Sequence, residues 1–285
     1  LERLAPNPEL ADPLTRASLH FARGWMSLMC GQDCFESSLH YEQSLAAYHE
    51  MGDARHGLHA RMHQARAQAV CGMVNEATAA LESYLEQANK LWEPLLASVI
   101  QSRLGEALCR RALPEDLARA EALSRALWED ASRLDLYRGF AVANLAQVAL
   151  RKGRYEDAVQ HARDALFQLR GGRSELPMPL STLIRALVAL GKTEQALEHA
   201  AELTEMLCGT GFRGHSELSA LLALYEAQKQ AGRTAAAQAL LSEAHEKLYA
   251  RQQRLPESLR TRFFSEVADH ETLRRLAERE LAPGT

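Results

Sequence analysis

Four segments of the chain repeat one pattern, a glycine, four residues and an alanine. They are Gly72–Ala77, Gly153–Ala158, Gly191–Ala196 and Gly232–Ala237. Beyond each alanine, small or aliphatic residues return at helical spacing, as in Ala158, Ala162, Ala165 and Leu169, or Ala196, Ala200, Leu203 and Leu207. Such a series is one stripe of a 3.6-residue helix. A glycine ends one helix cheaply, because it tolerates the left-handed conformation. An alanine then opens the buried face of the next helix, where a missing side chain lets two backbones approach. The unit is therefore helix, glycine turn, helix. The alanines at 158, 196 and 237 are 38 and 41 residues apart. The 81 residues from Ala77 to Ala158 span two units, with a divergent copy around Ala120. A degraded first copy runs from about Leu19 to Met51. The period predicts an all-α stack of six helix pairs.

Helices are expected over 14–30, 35–51, 54–71, 74–90, 94–111, 115–133, 136–152, 155–170, 179–190, 193–208, 216–231 and 234–254. Asp53 suits an N-cap, and Pro94 and Pro114 sit where helices begin. Gly171, Gly172, Pro177 and Pro179 mark a long loop. From Pro256 to Leu281 two short closing helices are expected, with Phe263, Phe264, Val267, Leu273 and Leu276 covering the exposed end of the stack. The chain divides into an extended segment (1–13), the repeat array (14–254) and a C-terminal capping segment with its tail (255–285).

Gly153-Arg-Tyr-Glu-Asp-Ala158, preceded by Leu145-Ala146, resembles the tetratricopeptide repeat, and Leu104-Gly105 and Gly24 are similar to the Leu-Gly pair of its first helix. The family's unit is about 34 residues, shorter than this one. Thr193 and Thr234 also stand where its turn carries an aromatic residue. The longer unit, the segment Ser44–Asp53 and the ending Arg262–Val267 resemble the C-terminal repeats of bacterial signalling ATPases and of maltotriose-activator-type transcription regulators. The resemblance implies a right-handed superhelical solenoid of about six antiparallel helix pairs with a short C-terminal cap. It also implies a regulatory part of a larger signalling or transcription-regulating protein, and the start at Leu1 rather than Met fits a piece of a longer chain.

Composition sets limits on function. A hydrophobic content of 47% with 25% charged residues supports a large buried core. The net charge of -4 offers no domain-wide basic surface for phosphates, so direct nucleic-acid binding is not expected. Five cysteines without framework spacing fit reduced thiols in a cytoplasmic protein. No apolar run is long enough for a membrane span, and there is no signal peptide.

Aligning the units places Trp25, Arg66, Glu106, Gln147, Arg185 and Glu226 at one position of successive first helices. The row four residues earlier reads Phe21, Met62, Ser102, Ala143, Ser181 and Leu222. Together they predict a concave strip, apolar at its N-terminal end and polar beyond. Phe21, Trp25 and Met62 would anchor apolar groups, Arg66 and Arg185 would grip carboxylates, and Glu106, Gln147 and Glu226 would complete the wall. The expected occupant is a protein or peptide partner, or a small-molecule effector; the alternative is a wall that simply faces water.

Other constellations look weaker. Gly209-Thr-Gly-Phe-Arg-Gly214 has the letters of a dinucleotide loop but follows a helix, so a flexible loop is expected, with Phe212 and Arg213 as contacts. His56, His59 and His63 share a helix face without a third ligand placed by the sequence. Cys30 and Cys34 bracket a turn without metal or redox spacing. Arg251, Arg254, Arg260 and Arg262 fit helix-end charges better than an acidic docking site. No catalytic group set, cofactor motif or metal site emerges. The expected class is a binding module or sensor, with a free-standing adaptor as the alternative.

Overall fold

A computed structural model describes residues 12–30, 33–130, 134–209, 214 and 216–281. Those residues form fourteen α-helices and no strand. They are α1 (Pro13–Met29), α2 (Cys34–Glu50), α3 (Ala54–Val70), α4 (Val74–Lys90), α5 (Pro94–Arg111), α6 (Pro114–Glu129) and α7 (Asp135–Arg151). Then come α8 (Tyr155–Gln168), α9 (Pro177–Ala189), α10 (Thr193–Gly209), α11 (Glu217–Gln230), α12 (Thr234–Gln253), α13 (Glu257–Ser265) and α14 (Ala268–Glu280). A single 3-10 turn, Arg173–Glu175, lies between α8 and α9. Neighbouring helices pack in sequence as adjacent pairs, an arrangement consistent with a helical repeat. The first helices α3, α5, α7, α9 and α11 also touch one after another. Most of the expected extended segment, residues 1–11, lies outside the described residues, as do 210–213 of the glycine-rich loop, with Phe212 and Arg213.

The repeated turn has the geometry that its sequence requires. Gly72, Gly153, Gly191 and Gly232 all take positive φ, between 71° and 85°. After each, the next N–H reaches back five residues: Met73 to Gln68, Arg154 to Ala149, Lys192 to Leu187 and Arg233 to Gln228, at 2.9–3.0 Å. This satisfies carbonyls that a helix end would otherwise leave unpaired. The alanines that follow, Ala77, Ala158, Ala196 and Ala237, are buried. Asp53 caps α3, its Oδ1 accepting from the His56 N–H at 3.1 Å, and Pro94 and Pro114 open α5 and α6.

The closing helices do more than cover an end. Leu259, Phe263 and Leu273 join Leu218, Leu222, Tyr225, Leu241 and Leu248 of the last pair in one apolar cluster, and Cys71 belongs to it too. The segment thus returns to the turn between α3 and α4. Arg262 holds Glu76 through two nitrogens, at 2.8 and 2.5 Å, and the Val74 N–H donates to Glu266 Oε2 at 3.1 Å. The backbone of Gly72 lies against that of Phe263. The basic cluster is spent internally: Arg260 donates to the carbonyls of Gln253 and Leu255 near the end of α12, and Arg251 pairs with Glu217.

His270 sits inside this junction, with its ring nitrogen Nδ1 2.9 Å from the Phe263 carbonyl. Burial lowers its pKa to about 3, against the pull of that carbonyl. The unfolded chain takes up a proton near the ordinary value of 6.5, whereas the folded chain refuses it until about pH 3. Stability at this residue is therefore full above pH 6.5 and falls as pH drops through that window. Urea unfolding should show about 2 kcal/mol of this loss between pH 7 and 5, and His270→Gln should remove that part of the slope.

Candidate functional site

The strip residues sit on the successive first helices α1, α3, α5, α7, α9 and α11, but in four different settings. Phe21, Trp25 and Met62 line an open cavity of about 720 Å³. Arg66 and Glu106 are buried and lie 3.3 Å apart. Gln147 is half-buried against Met178. Arg185 donates to Glu226 Oε2 at 3.0 Å and to Asp269 Oδ1, also at 3.0 Å.

The cavity is walled by four consecutive first helices. α1 gives Phe21 and Trp25, α3 gives His59, Met62 and His63, α5 gives Val99 and Arg103, and α7 gives Leu136, Tyr137 and Phe140. Gly172, Ser174 and Glu175 of the α8–α9 connection form its remaining edge. Ring contacts stiffen the wall. Phe21 stacks on His59 with centroids 5.3 Å apart, and its edge meets His63. His63 also stacks on the buried Tyr41, at 5.4 Å, and the Arg103 guanidinium lies 4.5 Å over Phe140. Burial, followed by the charges of His59 and Arg66, drives the His63 pKa well below its ordinary value, so this wall is neutral there. His59 and His63 are thus part of an aromatic lining, whereas the exposed His56 stacks on Tyr48 outside the cavity. Among the described residues no group of His, Cys, Asp and Glu is arranged to hold a metal.

Beneath the cavity lies a buried ionic floor. Arg66 donates to Glu175 at 3.2 Å. Arg103 reaches Glu106 at 2.9 Å and Glu175 at 3.5 Å, and Arg110 reaches Glu106 at 2.8 Å. A buried charge is tolerable only when paired in this way. Glu175 holds the α8–α9 connection across the first helices of the second and third pairs.

Farther along, α14 takes the place of an external occupant. Asp269 accepts from Arg151 at 2.6 Å, Arg185 at 3.0 Å and Ser219 at 2.7 Å. Burial alone would raise this carboxyl, but the two guanidinium groups outweigh it and hold the pKa well below the usual carboxylate range. The space left between Glu106, Gln147, Arg151 and Asp269 is about 30 Å³, the share of a single water. A separate hollow of about 350 Å³ at the α2–α3 turn, bordered by Leu45, Asp53 and Arg61, touches none of the strip residues.

Several members of the site escaped the sequence reading. Arg110 and Arg151 are one helical turn beyond Glu106 and Gln147, so extending the aligned rows by four residues would have found them. Phe140 lies seven residues before Gln147, on the same helix face. Glu175 and Asp269 come from a connection and a terminal helix outside the repeat, where the period carries no information. No helix among the described residues is long and apolar enough to cross a membrane. No known family's sequence profile matches the chain, and no curated protein is significantly similar to it.

Proposed function

We propose that this chain is an effector-sensing module, a right-handed superhelix of tetratricopeptide-like pairs that serves as the regulatory part of a larger bacterial signalling or transcription-regulating protein. Its ligand is a small, largely apolar molecule, or the apolar anchor of a peptide, held in the cavity between Trp25 and Phe140. The single observation behind this reading is that cavity, about 720 Å³ with aromatic and thioether walls drawn from four successive helix pairs. Its size and its few convergent polar groups suit a small-molecule site. An extended partner lying along the whole strip is disfavoured, because Asp269 already occupies Arg151 and Arg185. A ligand touching four pairs at once would bias how those pairs sit together, which is what a sensor needs.

Thermal unfolding against a set of small aromatic and aliphatic metabolites and short apolar peptides tests this. A true ligand raises the midpoint, since it binds the folded state, and changes Trp25 fluorescence. Trp25→Ala and Phe140→Ala should each weaken binding about tenfold or more, about 1.4 kcal/mol. A ligand whose affinity is unchanged in the double variant would place recognition elsewhere.

A further inference from the structure

We infer that Cys34 and Cys71 form a peroxide-sensitive dithiol that closes to a disulfide. The two residues are 37 apart in sequence, yet Cys71 Sγ donates a hydrogen bond to Cys34 Sγ at 2.8 Å. That is closer than ordinary van der Waals contact between sulfurs. Cys34 is the first residue of α2, whose cap Asp33 accepts from the N–H groups of Phe35 and Glu36. A thiolate there is favoured by the helix N-terminus. Around the pair stand Arg251 of α12 with its partner Glu217, and Asp33. The hydrogen bond from Cys71 chiefly, then the Arg251 charge, lower the Cys34 pKa against burial; burial and the same hydrogen bond raise that of Cys71. Cys34 is half-buried and Cys71 fully buried, which orders the steps.

Cys34 sulfur attacks one oxygen of a hydroperoxide, the O–O bond breaks, and the products are a sulfenic acid and water (or an alcohol). Cys71 sulfur then attacks the Cys34 sulfur, and the sulfenic oxygen leaves with the Cys71 proton as water. In total the two thiols give two electrons and two protons to the peroxide. The bond would staple the start of α2 to the α3–α4 turn, beside Phe263, where the closing segment docks.

The test uses the full chain carrying Cys208→Ser, which removes the exposed thiol, with hydrogen peroxide as oxidant. Thiols alkylated in denaturant should fall from four, the five of the sequence less Cys208, to two, and intact mass by two hydrogens. A peptide map should join residue 34 to residue 71, reversibly with dithiothreitol. Cys71→Ser should leave a Cys34 sulfenic acid that a 1,3-dione traps. Four thiols remaining at a peroxide level that oxidises a free small thiol, or a map joining Cys30 to Cys34, would overturn the assignment. The map needs only the protein with its native pair, so it decides even where Cys71→Ser fails to fold.

Discussion

Asp269→Ala is expected to destabilise the protein by about 3–5 kcal/mol, the cost of stranding buried charge after one partner is removed. Arg151 and Arg185 both direct guanidinium groups at this carboxylate, and Ser219 completes its coordination. Arg185 keeps Glu226, but Arg151 is left facing an empty position near the Glu106–Arg110 pair. Ser219→Ala, by contrast, should cost about 1 kcal/mol, because it removes one hydrogen bond and leaves both ion pairs. Urea unfolding of the three proteins gives the comparison directly. Acid titration adds a signature. The folded carboxyl is held below its ordinary value of 3.8, so its stabilisation is complete above that pH and is lost as pH falls beneath it. The alanine variant should lack this acid-limb loss, while the His270 component between pH 6.5 and 3 persists as long as α14 stays docked. Hydrogen exchange over α14 should rise in Asp269→Ala, since this ion-pair cluster fastens the helix to α7 and α9.

Gly72→Ala should be the most damaging change among the four turn glycines. All four have positive φ, so alanine costs each of them about 1 kcal/mol of backbone strain. At Gly191 and Gly232 an added Cβ meets nothing within 4 Å, and there the strain is the whole effect. At Gly72 the same Cβ would lie 2.6 Å from both Cα and N of Phe263. Backbone cannot swing aside as a side-chain tip can, so α13 must move off the turn. That adds overpacking of about 1–3 kcal/mol, and the hydrogen bond from Val74 to Glu266 and the Arg262–Glu76 pair are loosened with it. Thermal melts of Gly72→Ala beside Gly191→Ala isolate the docking contribution. Equal midpoints would mean that Phe263 does not rest on this turn.

The local architecture was legible because it is written in repeated chemistry. Helices expected over 74–90 and 94–111 run from Val74 to Lys90 and from Pro94 to Arg111. The glycine corners announced themselves, and so did the buried alanines. The third unit looked divergent for a physical reason: its turns place Trp92 and Ala112 at φ 56° and 59°. Helix exits therefore occur there without the glycine that marks them elsewhere. The connection at Gly171–Gly172 lies where its glycines imply, with Pro177 and Pro179 opening α9 rather than prolonging the loop. That it carries Glu175 back to Arg66 and Arg103 cannot be read from spacing. The candidate site divides the same way. Phe21, Trp25 and Met62 gather as their rows imply. Arg66 and Arg185 each meet one carboxylate from their own aligned row, Glu106 and Glu226, which the period places one unit on. Their second carboxylates, Glu175 and Asp269, lie more than a hundred and about eighty residues away, and no periodicity links them.

The bond between Val74 and Glu266 spans 192 positions of sequence, and it changes how such an array can come apart. In an open row of repeats each unit leans only on its neighbours, so melting can start at either tip and travel inward. Here the tail is tied to the second pair, so neither the last pair nor the turn at Gly72 can fray alone. Loss of register at one tip is felt at the other, and the many small equilibria of a row give way to a single concerted one. The same tie delays assembly, because its reward arrives only after most of the polypeptide has been ordered.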